Sequence, residues 1–379
     1  MKKLLFDLSV TQPAFTSKRH GGGIYGEIVL KKIIELNYNV IVAYNSSLWL
    51  NPDIKALCES HDVKMADISK MGILDAIDEI KPDIFYSPQP LGDFYKSKNC
   101  DMVVTIHDLR EIELQLDSKM FWRYTQGLKM QLKLWFQFFF PSYLKKRKHN
   151  RIANYVRNPE IRFVTVSNHT LSSLRLFYPE LSEVDIPVYY SPSTINEVAL
   201  SRKRPADYFL LVSGDRWEKN NLRAIIALDE LRSAGFLVDK KVVVTGVDSV
   251  KRFRHRIKNP DMFEFVGYIE DADLHQLYHD AYCFIYPTIN EGFGYPPMEA
   301  MCYGVPVLAS PFSSVAEIVG DAALYFNPFS VDEIKMRILR MTDKEVYASY
   351  VDKAHERYSQ IRRRQDSDLE QLVNYIYRG

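Results

Sequence analysis

Cysteine is scarce in this sequence, and long apolar runs are missing from it. The chain of 379 residues has four cysteines, Cys58, Cys100, Cys283 and Cys302, and no CxxC pair. Their spacing supports neither a zinc knuckle nor a redox pair and predicts reduced, buried thiols in a cytosolic protein. No stretch approaches the roughly 20 uncharged apolar residues that a membrane-spanning helix needs. The N-terminal segment MKKLLFDLSV is interrupted by Asp7 and is more typical of a first β-strand than of a signal peptide.

An excess of charge of one sign is also missing. Lys and Arg number 49, Asp and Glu number 48, and the net charge is +1. This balance is not that of a nucleic-acid-binding protein, so we expect no nucleic-acid partner. Hydrophobic residues make up 46% of the chain, which is enough for two domains of ordinary size.

Apolar runs of strand length alternate with helix-like stretches in two series. In the first series the runs begin near residues 3, 39, 63, 83, 102 and 162, and in the second near 208, 241, 262, 283, 305 and 323. This alternation predicts an α/β fold with two parallel, doubly wound sheets. Two such Rossmann-like domains imply a cleft between them, with ligands beyond the carboxyl ends of the strands.

The domain bounds follow from the same pattern. The first domain is predicted at residues 1–190 and the second at 206–361, and a polar stretch with Pro192 and Pro205 predicts a linker at 191–205. The last 50 or so residues have the pattern of charged helices.

The stretch TINEGFGYPPMEAMCYGVP, residues 288–306, follows a run that predicts a buried strand. Gly292 and Gly294 leave bare backbone N–H groups just before a predicted helix, whose N-terminus favours an anion. Glu291 and Glu299 bracket these glycines, and carboxylates accept hydrogen bonds from hydroxyl groups. The combination indicates a ligand with both phosphate and hydroxyl groups, such as a nucleotide sugar.

Two cations occur in the segment SGDRWEKN, which follows the first strand of the second series. Arg216 and Lys219 at this position would clamp a diphosphate and stabilise it as a leaving group. The alternative is a pair of solvated surface charges.

The segment GGGIYG at residues 21–26 matches the GxGxxG pattern of dinucleotide-binding sites. Such a site is disfavoured here, because the first strand ends near Ser9 and the second ends at residues 43–45 without an acid for a ribose. Two interpretations remain, a flexible loop or a glycine loop whose N–H groups face a phosphate or a sugar. His107 ends another apolar strand, and we expect either a substrate contact or a structural histidine there.

The pair Asp271 and Asp273 resembles the DxD that binds a metal in some sugar-transfer enzymes. Here the pair opens a predicted helix, where helix capping and the helix dipole explain it. No other carboxylate or histidine group has the spacing of a metal site, so no metal ligand is predicted.

Residues 119–159 are unusual in composition, with ten Lys or Arg and no Asp or Glu. Aromatic residues recur at helical spacing within this segment, and the basic cluster 145–148 follows them. One interpretation is a pair of core helices with a solvated face, and another is docking on an anionic membrane surface. Nucleic-acid contact is the third, although no recognisable module supports it.

Taken together, these residues resemble the retaining GT-B glycosyltransferases of glycosyltransferase family 4, the glycogen-synthase-like family or glycosyl transferases group 1. The signature E-G-F-G-x-P-x-x-E-A is present at residues 291–300. Segments 304–307 and 316–323 fit the second domain of that family, and segments 105–109 and 164–167 fit the first. The resemblance covers most of the chain.

The resemblance implies roles in the second domain. Glu299 would hydrogen-bond the nucleotide ribose, and Glu291 would hold donor-sugar hydroxyls together with the loop Gly292, Phe293 and Gly294. Arg216 and Lys219 would bind the diphosphate. Lys219 follows Arg216 by three positions, whereas the family usually has the longer spacing G-R-x-x-x-x-K.

Further roles are implied in both domains. Gly22 and Gly23 would approach the donor phosphate or sugar, His107 would contact the sugar near its reacting carbon, and Gly267 and Tyr268 would lie against the base. Members of the family need no metal or other cofactor and retain the anomeric configuration. In them the leaving phosphate helps to deprotonate the acceptor, and the final helix, here residues 362–379, returns to the first domain.

The expected function is transfer of a hexosyl unit from a nucleotide diphosphate sugar to a hydroxyl of a growing, lipid-linked surface glycan. GDP-mannose is ranked ahead of UDP- and dTDP-hexoses, and O-antigen assembly is the expected setting. We expect the protein in the cytoplasm, peripheral on the inner face of the membrane. Three alternatives stay open: a nucleotide-sugar epimerase of the same fold, a non-catalytic scaffold docked on a membrane, and a nicotinamide-dependent oxidoreductase.

Overall fold

The computed structural model describes residues 2–13, 21–114, 128–193, 207–247, 253 and 256–378, and for residues 128–131, 133 and 134 the backbone alone. The predicted linker lies outside the described residues from position 194 onward, as do residues 119–127 of the basic segment. The chain forms two compact units, of which the first contains residues 1–112, 145–194 and 362–379, and the second contains residues 113–144 and 195–361.

Six parallel strands form the sheet of the first unit, in the order β3-β2-β1-β4-β5-β6. The strands are β1 Leu4–Asp7, β2 Val40–Tyr44, β3 Lys64–Asp67, β4 Ile84–Ser87, β5 Asp101–Ile106 and β6 Ile161–Thr165. All residues of β1 and β4 are buried, as expected for a parallel sheet with both faces covered.

The second unit has another sheet of six parallel strands, in the order β12-β11-β10-β7-β8-β9. The strands are β7 Tyr208–Leu211, β8 Lys241–Thr245, β9 Phe263–Val266, β10 Cys283–Tyr286, β11 Val307–Ala309 and β12 Ala323–Tyr325. Both sheets have the strand order of dinucleotide-binding folds, and the predicted α/β class is confirmed.

Helices alternate with these strands along the chain. Up to the end of β6 they are α1 Gly21–Glu35, α2 Pro52–Ser60, α3 Ile73–Ile80, α4 Arg110–Glu113, α5 Leu128–Phe139 and α6 Pro141–Val156. The later ones are α7 Asn168–Phe177, α8 Asn221–Ser233, α9 Asp271–Asp280, α10 Tyr295–Cys302, α11 Val315–Val319, α12 Val331–Met341 and α13 Lys344–Tyr377. No described helix is long and apolar enough to cross a membrane.

The glycines of GGGIYG are not in a loop, so the prediction of a glycine loop was wrong. Helix α1 begins at Gly21 and places Gly22 and Gly23 in its first turn. Gly26 lies further along α1, where an added Cβ would come within 2.4 Å of the Thr11 side chain. Close packing of α1 therefore accounts for this glycine without a dinucleotide.

Within residues 119–159, helix α5 is largely exposed and the later part of α6 is buried. The later part of α6 packs into the core of the first unit through Ile152, Ala153 and Tyr155. The apolar side chains of α5 that the structure describes are all exposed: Leu132, Trp135, Phe136, Phe138 and Phe139. The core-helix interpretation therefore fits α6 and does not fit α5.

The C-terminal helix α13 has 34 residues and contributes to both units. In the first unit the side chains of Leu372, Val373 and Ile376 are buried. Gln365 donates a hydrogen bond to the carbonyl of Ser191 at 2.5 Å. Residues 362–379 are therefore part of the first unit.

Candidate functional site

The strand order defines where a ligand site is expected in the second unit. β7 lies between β8 and β10, and the chain proceeds from these two neighbours toward opposite edges of the sheet. In sheets of this kind ligands bind beyond the carboxyl ends of the strands at such a point. The candidate site is therefore built from the residues that follow β7 and β10.

Lys219 and Glu291 meet at this point. Lys219 ends a short 3₁₀ turn, Trp217–Lys219, after β7, and Glu291 lies in the loop after β10. The Lys219 ammonium forms an ion pair with the Glu291 carboxylate, and their side chains are only 5% and 12% exposed. A cation and an anion are thus held together out of water, as buried charges require.

Hydroxyl groups surround the ion pair and fix its geometry. Lys219 Nζ donates to the Tyr286 hydroxyl at 2.9 Å, and that hydroxyl is also hydrogen-bonded to Glu291. Thr288 donates to Glu291 Oε1 at 2.9 Å, and the Glu291 N–H donates to Ser313 Oγ at 2.6 Å. Burial raises the pKa of the Tyr286 phenol well above its ordinary value, so it stays protonated.

Arg216 is paired with a carboxylate that is close in sequence. Its Nη2 and Nε lie 2.7 and 2.8 Å from Glu218 Oε1. The backbone carbonyl of Glu218 accepts a hydrogen bond from Ile289 N–H at 2.9 Å, which ties this turn to the loop after β10. Each of the two cations in the segment SGDRWEKN therefore has its own glutamate.

The glycine loop leads directly into α10. Gly294 precedes the helix with φ of 114°, a conformation that side chains with a Cβ rarely adopt. Phe293 is buried, and its carbonyl accepts a hydrogen bond from Ser314 Oγ at 2.8 Å. Pro296 is at the start of α10, where its missing N–H costs no hydrogen bond. The loop that contains Gly292 is thus held in one conformation.

Glu299 lies within α10, and its side chain is half-buried. Burial raises its pKa from 4.5 to about 7, and the charge of Asp271 raises it further, whereas the hydrogen bond from Tyr278 and the charge of Lys219 lower it. Its protonation therefore changes near neutral pH. The hydroxyl groups of a ligand would bind the charged form as hydrogen-bond donors.

His107 follows β5 in the first unit and contacts α1. Its Nε2 lies 2.9 Å from the carbonyl oxygen of Pro88, so this nitrogen carries the proton. The imidazole meets the ring of Tyr25 edge-on at 4.6 Å between centroids. The structure thus brings His107 next to the helix whose first turn contains Gly22 and Gly23.

The first unit has a buried carboxyl group at the point where its own strand order reverses, between β1 and β4. Asp7 ends β1 and accepts hydrogen bonds from Ser9 at 2.5 Å and from Ser87, the last residue of β4, at 3.4 Å. Burial raises the pKa of Asp7 to about 6. These contacts connect the ends of two neighbouring strands.

The remaining predicted residues lie near the end of β9 and at the start of α9. The carbonyl of Gly267 accepts a hydrogen bond from Gly246 N–H at 3.0 Å, and Tyr268 is exposed. Asp271 and Asp273 lie in the first turn of α9, where the helix dipole favours carboxylates. Among the described residues, no three His, Cys, Asp or Glu side chains group as a metal site would require.

Sequence reasoning missed three residues of the site. Glu218 was visible in the segment SGDRWEKN but had no assigned role, and Tyr286 and Thr288 appeared only as parts of a strand and a loop. Tyr286 ends β10 and Thr288 follows two positions later, and this spacing could have indicated that both side chains lie at the carboxyl end of that strand. The pairing with Lys219 depends on the sheet topology and has no local signal.

The sequence is similar to known glycosyltransferases. Residues 195–364 match the family of glycosyl transferases group 1. The O-antigen chain mannosyltransferase B of Escherichia coli is 33% identical over 137 residues, which are 35% of this chain and 36% of that protein. The O-antigen chain mannosyltransferase RfbU of Salmonella typhimurium is 25% identical over 232 residues, 60% of this chain and 57% of that protein.

Solved structures resemble the whole chain. The structure of Anabaena HepE in complex with UDP and glucose matches with a TM-score of 0.68 at 16% identity and covers 99% of both chains. WaaG, a glycosyltransferase involved in lipopolysaccharide biosynthesis, matches with a TM-score of 0.64 at 14% identity and covers 99% of this chain and 100% of its own.

These findings define the fold and the similarity of the second half of the chain. The fold is the GT-B fold, and residues 195–364 match the family of glycosyl transferases group 1. The resemblance predicted from the sequence is confirmed. The aligned regions span 36% and 57% of the two named mannosyltransferases, so this chain covers less than two thirds of either.

Proposed function

We propose that the protein is a retaining, metal-independent glycosyltransferase that moves a hexosyl unit from a nucleotide diphosphate sugar to a hydroxyl of a growing glycan. The observation that supports this most directly is the buried pair of Lys219 and Glu291 beyond β7 and β10. The pair lies within the region that matches the glycosyl transferases group 1 family.

In this proposal the two cations bind the diphosphate. Lys219 Nζ and the Arg216 guanidinium are each held by a glutamate partner. A diphosphate would therefore bind next to positive groups that are already in position. Glu291 would then accept hydrogen bonds from the sugar hydroxyls. Glu299 would do the same for the ribose, and the exposed ring of Tyr268 would lie against the base.

The reaction breaks the bond between the sugar C1 and the diphosphate oxygen, and the electron pair stays with that oxygen. The acceptor hydroxyl oxygen forms the new bond to C1 on the same face, and its proton passes to the leaving phosphate. Arg216 and Lys219 would stabilise the charge that develops on this phosphate. Under this proposal neither glutamate is a nucleophile.

The mannosyl donor and the glycan acceptor are proposed from the relatives. Two of these are named O-antigen chain mannosyltransferases, which favours GDP-mannose as the donor and a lipid-linked surface glycan as the acceptor. HepE, by contrast, was solved with UDP and glucose, so uridine nucleotides form the second choice. The epimerase alternative is not favoured, because the relatives are named as transferases.

A lipid-linked acceptor would place the reaction at the cytoplasmic face of a membrane. We therefore propose a cytoplasmic protein that associates peripherally with that face. Glycosyl transfer itself uses no nucleic-acid partner in this proposal.

The direct test uses purified full-length protein with GDP-, UDP- and dTDP-sugars, first by thermal shift and then by transfer of labelled sugar to a lipid-linked saccharide extract. We expect the GDP-mannose label to enter the lipid fraction, with an α-linked product by NMR. Binding to none of the three nucleotide classes would overturn the proposal. A free epimer from donor alone would identify an epimerase, and donor binding without any turnover would identify a scaffold.

A further inference from the structure

Helix α5 turns an apolar stripe outward. Leu132, Trp135, Phe136 and Phe139 recur at the i, i+3, i+4, i+7 spacing of one helix face and are 59%, 49%, 46% and 60% exposed. Such a stripe normally packs against a protein core. Here large side chains at all four positions retain about half of their surface in contact with solvent.

The aromatic surface continues into the start of α6. Phe140 and Tyr143 are 54% and 60% exposed, and the Phe136 ring lies 5.0 and 6.4 Å from theirs between centroids. Trp135 stacks on Phe139 at 5.4 Å. These rings therefore form one exposed aromatic patch, and exposed apolar patches of this extent mark sites of interaction.

Basic residues follow on the same helix as Tyr143. Lys146 and Arg147 are three and four positions further along α6, which places them on the helix face of Tyr143. Both are exposed, and neither forms an ion pair with any residue that the structure describes. Lys148 and Arg151, in contrast, lie 3.6 and 2.5 Å from Glu111.

The partner must suit both parts of this surface. Residues 119–159 contain no Asp or Glu, so a charged partner has to be anionic. The surface combines exposed aromatic rings with exposed cations, as do helices that bury aromatic rings at a bilayer interface and place cations against the headgroups. A nucleic acid would satisfy the basic residues and would leave the apolar stripe in water.

We propose that α5 and the first half of α6 form a docking surface for an anionic phospholipid bilayer. Leu132 and the aromatic patch enter the interface, and Lys146 and Arg147 contact the lipid phosphates. The rings of this patch are Trp135, Phe136, Phe139, Phe140 and Tyr143. This inference does not depend on the proposed transfer reaction, because vesicle binding requires neither donor nor acceptor.

The test is co-sedimentation of the full chain with vesicles of phosphatidylglycerol and phosphatidylcholine in equal parts, and with vesicles of phosphatidylcholine alone. We expect binding to the anionic vesicles that weakens as salt is added. Lys146→Glu with Arg147→Glu should weaken it by about tenfold or more. Trp135→Ser with Phe139→Ser should also weaken it, and the remaining binding should depend more steeply on salt.

Two matched controls use exposed residues elsewhere. Lys98→Glu reverses an exposed charge before β5, and Met336→Ser removes a side chain that is 61% exposed on α12. Both should bind vesicles as the unsubstituted protein does. Thermal unfolding midpoints of all variants verify that each one is folded.

Three results would overturn the docking surface. The first is that the protein does not bind anionic vesicles, and the second is that neither the charge-reversed variant nor the Trp135→Ser, Phe139→Ser variant changes the binding. The third is that the protein self-associates with increasing concentration and that the two serine substitutions abolish this association but not vesicle binding. Retention on nucleic acid in place of vesicles would assign the basic residues to that partner. Nucleotide-sugar binding measured without vesicles reports on the proposed transfer separately.

Discussion

Lys219 and Glu291 are 72 residues apart in the chain and form a buried ion pair beyond the ends of β7 and β10. Burial of two charges is costly, and the pair is tolerated because each charge compensates the other and hydroxyl groups satisfy the rest. The same two side chains are the proposed ligands of the diphosphate and the sugar. Their contributions to stability and to activity can therefore be separated by substitution.

Lys219→Met should destabilise the protein by about 3 kcal/mol, because it leaves the Glu291 carboxylate buried without a cation. The double variant with Glu291→Gln should recover part of that loss, since no charge is then buried. Glycosyl transfer should be lost in both. Urea denaturation gives the stability, and a single variant as stable as the unsubstituted protein would contradict the compensating role of the pair.

Glu218 should act as a positioning residue for Arg216. Glu218→Ala should lower kcat by about tenfold with a smaller change in KM, because the guanidinium loses the oxygen that orients it. Glu218→Gln keeps a carbonyl oxygen at that position and should restore most of the rate. If positioning is the role, Glu218→Ala should have no further effect in an Arg216→Ala background, and additive losses would show that Glu218 acts independently.

The affinity for the nucleotide should rise with pH through about 7, where Glu299 loses its proton and its carboxylate can accept hydrogen bonds from ribose hydroxyls. Glu299→Gln should flatten this dependence. Asp271→Asn should move the midpoint to lower pH, because the charge of Asp271 raises the pKa of Glu299. Isothermal titration calorimetry measures the nucleotide affinity of the unsubstituted protein and of the two variants. The measurements run between pH 5 and 9, roughly two units on either side of that midpoint.

Glu299 should also make the free energy of unfolding depend on pH: it should fall as pH rises, whereas the nucleotide affinity should increase. Its folded-state pKa of about 7 lies above the ordinary 4.5, so the folded protein keeps a proton that the unfolded chain has lost. The contribution of this group to the unfolding free energy therefore falls as pH rises from 4.5 to about 7. Glu299→Gln should gain stability relative to the unsubstituted protein over that window, and a constant difference would refute the raised pKa.

Gly294→Ala should cost about 1 kcal/mol of stability through its φ of 114° and should also weaken donor binding, because the loop before α10 would shift. Gly235→Ala is the matched control: Gly235 has φ of 86° in the turn after α8, and an added Cβ meets nothing within 4 Å. The control should lose a similar amount of stability with unchanged donor affinity. Equal effects of both variants on affinity would place Gly294 outside the donor site.

A chelator should leave glycosyl transfer unchanged if Arg216 and Lys219 neutralise the diphosphate by themselves. The assay compares the rate with and without EDTA and after addition of manganese. Strict dependence on the added metal would instead assign a catalytic role to Asp271 and Asp273.

Local sequence patterns predicted the strands well, since buried parallel strands are continuous apolar runs. Lys241–Thr245 was placed at its observed bounds, and Tyr208–Leu211 was placed within two residues. The start of α1 was missed because three consecutive glycines are poor helix formers, whereas the structure places them in the first turn. Tertiary packing overrides local propensity at such a helix terminus.

The candidate site was predictable as a set of segments and not as a set of contacts. The spacing between Glu291 and Glu299 is local and visible, but the pairing of Lys219 with Glu291 needs the strand order of the second sheet. The aromatic stripe of α5 shows another limit, because helical periodicity reveals which residues share a face and not whether that face meets protein or solvent. The predicted ligand roles of these residues remain predictions for the experiments above.

Helix α13 constrains the order in which the protein can fold during synthesis. Residues 362–378 supply Leu372, Val373 and Ile376 to the interior of the first unit and bond to Ser191 through Gln365. A ribosome makes these residues after the whole second unit, so the domain that is translated first is completed last. A nascent chain that stops before them would present an uncovered apolar surface, and chaperones would have to protect it until translation reaches the final turns of the helix.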